Sequence, residues 1–181
     1  MTLFDGGKLK PGIYKIQNIV GETYLDIREH NKELCCRPDF VLGGKGQWEI
    51  LPLGSGYTIR RLEPGRPDQF CNVLSGSMDH DGRVAISVST FPAAWRVEEV
   101  HDKHYMGYEY VRFFWGTSNL TWDLADYGSS NDRTPVHYKD NGIEGSQPCR
   151  VWKLTPVKLH AGFQPPILKA DSPPEYRDKH E

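Results

Sequence analysis

Residues 121–154 read TWDLADYGSSNDRTPVHYKDNGIEGSQPCRVWKL, and the order of parts in this stretch decides the fold. An aromatic–acid–aliphatic triplet, Trp122-Asp123-Leu124, has the makings of a strand. A loop rich in Gly, Ser, Asn and Asp follows, then a second short strand, Pro135-Val136-His137-Tyr138. The stretch closes on Trp152-Lys153-Leu154, a tryptophan two residues ahead of an aliphatic side chain. The same order occurs twice upstream in weaker form, and repetition of this kind governs the architecture of a chain.

In the first copy, Lys10-Pro11-Gly12 makes a turn and Ile13-Tyr14-Lys15-Ile16-Gln17 alternates apolar and polar residues as a half-buried strand does. Tyr24-Leu25-Asp26-Ile27 and Leu34-Cys35-Cys36 follow, and Trp48-Glu49-Ile50-Leu51 closes the unit. The second copy opens at Tyr57-Thr58-Ile59-Arg60. It continues through Phe70-Cys71-Asn72-Val73, a loop from Gly76 to Gly82 and Val84-Ala85-Ile86-Ser87-Val88, and closes on Trp95-Arg96-Val97. The third opens at Tyr108-Glu109-Tyr110-Val111-Arg112-Phe113 and runs into the stretch quoted above. Order is constant while spacing varies, which places the differences in loops, where insertions cost little.

No window carries a sustained helical stripe of apolar residues. The expectation is an all-β chain in which three repeats of about four strands (residues 10–53, 54–100 and 105–157) form one closed barrel. A single repeat could not bury its apolar face alone, whereas closure leaves few free edges. The recurring Trp, Tyr, Ile, Val and Leu would form the shared core. From residue 158 to 181 the pattern gives way to Pro165, Pro166, Pro173 and Pro174 with scattered charge. This reads as an extended tail, with Phe163, Ile167 and Leu168 as the apolar residues by which it would dock on the barrel or join a homodimer.

The bulk composition excludes several functions. The chain has 181 residues, Lys+Arg 22 against Asp+Glu 24 and a net charge of -2, with no basic excess to hold a phosphate backbone. Nucleic acid is therefore not expected as a partner. No apolar run reaches the roughly 18 residues of a membrane span, and the first residues do not read as a secretory signal, so a cytoplasmic location is expected. In that setting the sequon Asn119-Leu120-Thr121 stays unused. Cys35, Cys36, Cys71 and Cys149 lack zinc or disulfide-framework spacing and read as free thiols. His101 and His104 stand in a polar linker with no third ligand nearby, so neither metal nor cofactor is expected. Phosphate-binding, nucleophile-elbow and zinc-protease motifs are absent. The loop acids Asp123, Asp126, Asp132 and Asp140 fall at irregular spacing, unlike a glycosidase pair. The chain does not read as an enzyme.

It reads better as a binding protein. A sugar presents hydroxyls that need paired donors and acceptors, and a C–H face that suits an aromatic ring. The third repeat holds such a set in order: Asp123, His137 and Tyr138, and Asn141. The first repeat offers the weaker Asp26, and the second has Asn72 opposite Ile86-Ser87. The competing reading of Asp123 is that it fastens its own loop by accepting backbone N–H groups.

The opening Gly12-Ile13-Tyr14-Lys15-Ile16, the strand Tyr24-Leu25-Asp26-Ile27 and the closing Trp-x-aliphatic triplets resemble the ricin-B-type lectins, in particular small cytoplasmic lectins of mushrooms. The resemblance spans residues 10–157 and implies a β-trefoil: a barrel with a hairpin cap. It also implies a non-catalytic glycan-binding role of a fungal defence or storage type, with sites built from an Asp, an aromatic and an Asn or Gln. By position these fall on Asp123, Tyr138 and Asn141. The family's Gln-x-Trp motif reads Gly46-Gln47-Trp48, Ala93-Ala94-Trp95 and Arg150-Val151-Trp152 here, so Gln is missing from its place in every copy. The scaffold is similar, too, to fungal β-trefoil protease inhibitors of the mycospin and mycocypin type. For that alternative, an exposed extended loop carrying Arg28, Asn31 and Lys32, or the turn from Arg60 to Arg66, would present a basic side chain to a serine or cysteine protease.

Overall fold

A computed structural model describes residues 2–43, 45–78, 83–101, 109–140 and 147–161, with backbone alone for 74–78. A short hairpin, β1 (Phe4–Asp5) and β2 (Lys8–Leu9), precedes the repeats. Each repeat then supplies four strands. The first has β3 (Gly12–Asn18), β4 (Tyr24–Ile27), β5 (Leu34–Arg37) and β6 (Gln47–Leu53). The second has β7 (Gly56–Arg61), β8 (Gln69–Met78), β9 (Val84–Ser89) and β10 (Trp95–Glu99). The third has β11 (Tyr110–Trp115), β12 (Leu120–Leu124), β13 (Thr134–Asp140) and β14 (Trp152–Leu159).

The outer strands of each repeat pair in a ring: β3 with β6, β6 with β7, β7 with β10, β10 with β11, β11 with β14, and β14 back onto β3. Closure of this ring is the barrel expected from the sequence. The inner strands form three hairpins, β4–β5, β8–β9 and β12–β13. These meet one another through β13–β5, β13–β9 and a bridge between Glu33 and Ser87, and so cap one end of the barrel. The arrangement is a β-trefoil.

The repeated residues do equivalent work. Trp48, Trp95 and Trp152 are fully buried. Each indole N–H donates to the carbonyl just before the acid or amide of its own repeat: Trp48 to Leu25 at 3.1 Å, Trp95 to Cys71 at 2.9 Å and Trp152 to Trp122 at 3.4 Å. A buried indole needs such an acceptor. These bonds hold Asp26, Asn72 and Asp123 at matching positions on the cap. Trp122 meets Trp95 and Trp152 edge to face at centroid distances of 5.2 and 5.9 Å. The glycines that open the first two repeats are packing requirements, since a Cβ on Gly12 or Gly56 would lie 2.6 Å from the carbonyl oxygen of Lys158 or Trp95.

Three details differ from the sequence reading. β8 runs on to Met78, past Gly76, where a loop was expected. The β1–β2 hairpin buries Leu3, Phe4 and Leu9 in the common core, with the Leu9 N–H on the Tyr57 hydroxyl at 2.8 Å. At the other end, β14 extends to Leu159 and the His160 N–H bonds the Pro11 carbonyl at 3.0 Å. Residues 162–181, including the proposed docking residues of the tail, lie outside the described residues.

Candidate functional site

Strand pairing sorts the expected site residues onto two faces. Asp123 stands opposite His137 and Trp122 opposite Tyr138. Cross-strand partners share a face and neighbours along a strand do not. Tyr138 therefore lies on the Trp122 side, half-buried against the core, and not with Asp123. His137 does share the face of Asp123, but it is buried. Asn141 lies outside the described residues.

The aromatic ring beside Asp123 comes from the loop that follows it. Ala125–Gly128 is a four-residue helical turn in which Asp126 and Tyr127 take φ of 52° and 55°, followed by Gly128 at 86°. Two successive non-glycine residues in the left-handed region cost energy, and such strain concentrates at binding sites. Its result is a Tyr127 that is 87 % exposed. Asp123, Asp126, Tyr127, Lys139, Gln147 and Cys149 line a small polar recess, together with Arg83 from the neighbouring repeat.

Asp123 is anchored in this recess. Arg150 Nε donates to its Oδ2 at 2.8 Å, and the Cys149 thiol lies 3.7 Å from the same oxygen and 3.7 Å from Gln147 Oε1. Burial, and then the Asp123 carboxylate, push the Cys149 thiol up to about 11, so it remains a protonated donor. Arg150 occupies the position that the family motif gives to Gln. That substitution was visible in the sequence; its partner was not. Tyr127 had a weaker signal, an aromatic between Asp126 and Gly128 in turn-forming sequence.

Asp26 has a different fate. Its Oδ1 is paired with Arg61 and its Oδ2 lies 3.5 Å from Arg37, so the carboxylate is committed to two guanidiniums. In the second repeat, Asn72 Nδ2 bonds Ser89 Oγ at 3.0 Å and the carbonyl of exposed Phe91 at 3.3 Å.

The loop expected to be extended in an inhibitor is a closed turn. The Arg28 N–H donates to the Glu33 carbonyl and the Lys32 N–H to the Arg28 carbonyl, both at 2.8 Å. Asn31 Oδ1 accepts the Glu33 N–H at 3.2 Å, Lys32 has φ of 60°, and its ammonium lies 3.2 Å from Glu29. These bonds take up the backbone N–H groups of Arg28, Lys32 and Glu33 and the carbonyls of Arg28 and Glu33. His101 lies 3.8 Å from Glu99, and His104 falls outside the described residues.

No protein-family model and no curated protein matches the sequence. Solved structures do. The chain is similar to a ricin B-like lectin of Macrolepiota procera solved in complex with lactose: 22% identity over 86% of this chain and 99% of that one, TM-score 0.65. It is similar to the Rhizoctonia solani agglutinin, with 19% identity over 82% and 97% of the two chains and a TM-score of 0.62. A proteinase inhibitor from Coprinopsis cinerea gives 12% identity over 83% and 100%, with a TM-score of 0.59. At these identities the likeness establishes the fold.

Proposed function

We propose that this protein is a non-catalytic carbohydrate-binding protein whose site is the recess of the third repeat. The observation that carries the reading is Tyr127, an exposed ring held out by strained backbone next to a carboxylate already oriented by Arg150. Tyr127 would stack on the C–H face of a sugar ring. Asp123 would accept hydrogen bonds from its hydroxyls, while Lys139 and Gln147 supply donors. A shallow polar recess of this kind suits a glycan better than a flat apolar ligand. The commitment of Asp26 to Arg61 and Arg37 favours a single site over three related ones.

A glycan array of the purified protein beside Tyr127→Ala tests this. The ring buries little surface, so the variant should fold normally and lose the signal. Silence from the wild type would overturn the reading, and a panel of serine and cysteine proteases would then test inhibition.

A further inference from the structure

A second recess lies between the β4–β5 turn and the loop that leads into β13. Its volume is about 150 Å³, and it is lined by Ile27, Arg28, Glu29, His30, Arg37 and Arg133. Three guanidiniums, an imidazole and one carboxylate thus line it, with Glu33, Asp26 and Asp132 each within 4 Å of one of the arginines. Glu29 lies 3.2 Å from Lys32 and 2.9 Å from Arg66.

The three arginines differ in what they have left to give. Arg37 is held between Asp132, at 2.9 and 3.3 Å, and Asp26, at 3.5 Å, and forms a fixed wall of the recess. Arg28 is only 23 % exposed along its side chain. One of its terminal nitrogens donates to the Arg133 carbonyl, and its closest carboxylate, Glu33, is 3.9 Å away. Its Nε is buried with no hydrogen-bond partner among the described residues. Arg133, at φ 63°, has a side chain 62 % exposed and a loose ion pair with Asp132 at 3.8 Å, an exposed contact that it can trade for a ligand. A buried donor left without an acceptor costs free energy, which an oxygen in the recess would return once the Arg28 side chain turned toward it.

We propose that this recess binds an oxyanion: phosphate, sulfate, or an ester of either carried on a sugar. Guanidinium groups match the paired oxygens of such ions. Two of the three are fixed beforehand by bonds within the protein, which lowers the entropy lost on binding. The site also gives Arg28 a role as an inward-facing ligand group in place of a protease-directed side chain.

Isothermal titration of the full chain with inorganic phosphate and with sulfate, at constant ionic strength set by chloride, tests the site. Saturable binding is expected. Arg28→Gln should weaken it about tenfold or more, and Arg133→Gln several-fold, in keeping with loss of charge-assisted bonds. Arg133→Gln alters an exposed side chain and keeps the test valid if Arg28→Gln fails to fold; Lys153→Gln serves as the charge control. Glucose 6-phosphate binding well above inorganic phosphate would identify a sugar ester as the ligand, and equal binding the free ion. No saturable heat from the wild type, or arginine variants that bind as tightly as it does, would overturn the proposal.

Discussion

Asp26 and Asp123 occupy the same place in two repeats, and a buried tryptophan holds the backbone beside each. Their side chains nevertheless do different jobs. Asp26 is 6 % exposed and locked between Arg61 and Arg37. Asp123 is 13 % exposed, takes one arginine, and shares its recess with an exposed tyrosine. The source of the arginine also differs. Arg150 reaches Asp123 from the position two residues ahead of the closing Trp152, whereas that position in the first repeat is Gly46 and Asp26 is met by Arg61 of the next repeat. A three-fold scaffold therefore fixes where an acid stands, and its neighbours decide whether it is locked between arginines or left beside an open recess.

The scaffold half of this comparison breaks most severely with Trp152→Ala. Deleting that ring should cost about 3–5 kcal/mol, as large core truncations do, and Trp48→Ala should cost a similar amount if the repeats are equivalent. Chemical denaturation of both variants measures this, and a loss confined to one would undo the equivalence.

The two acids themselves come next. Asp26→Ala leaves the buried Arg61 with only Glu63, at 3.6 Å, as a carboxylate partner and should destabilise by about 3 kcal/mol. Asp123→Ala removes one carboxylate partner of Arg150 and should cost less, about 2 kcal/mol. Matched melting curves that reversed this order would contradict the division of roles.

Tyr127→Gly sharpens the comparison from the other side. Glycine relieves the left-handed strain but adds freedom to the unfolded chain, so stability should stay within about 1 kcal/mol. Glycan binding should disappear. A large loss of stability would make Tyr127 a structural residue.

The smallest effect concerns the exposed Arg37–Asp132 pair. Its hydrogen bonds hold the Asp132 carboxyl below the usual carboxylate range. The contribution is present above the unfolded-state value and is lost as pH falls through the depressed one. The wild type should melt slightly above Asp132→Asn near neutrality, and the gap should close as pH falls through the carboxylate range.

Much of the fold could be read from residue order. The Gly-x-Tyr opening at Gly12, the alternation through β3 and the three closing tryptophans specify strands, repeats and closure, because burying aromatic area is cooperative and shared by all three units. Part of the site was legible as well. Asp123 and His137 do face one another, while the placing of Tyr138 with them was at odds with a period-two strand, in which adjacent residues point to opposite faces. What the sequence alone determined was the barrel and the position of each acid upon it. Only the tertiary structure decided which arginine each acid meets and which aromatic stands exposed beside it. Those outcomes depend on loops from different repeats meeting at the cap, where contacts distant in sequence are set by closure and leave no local pattern.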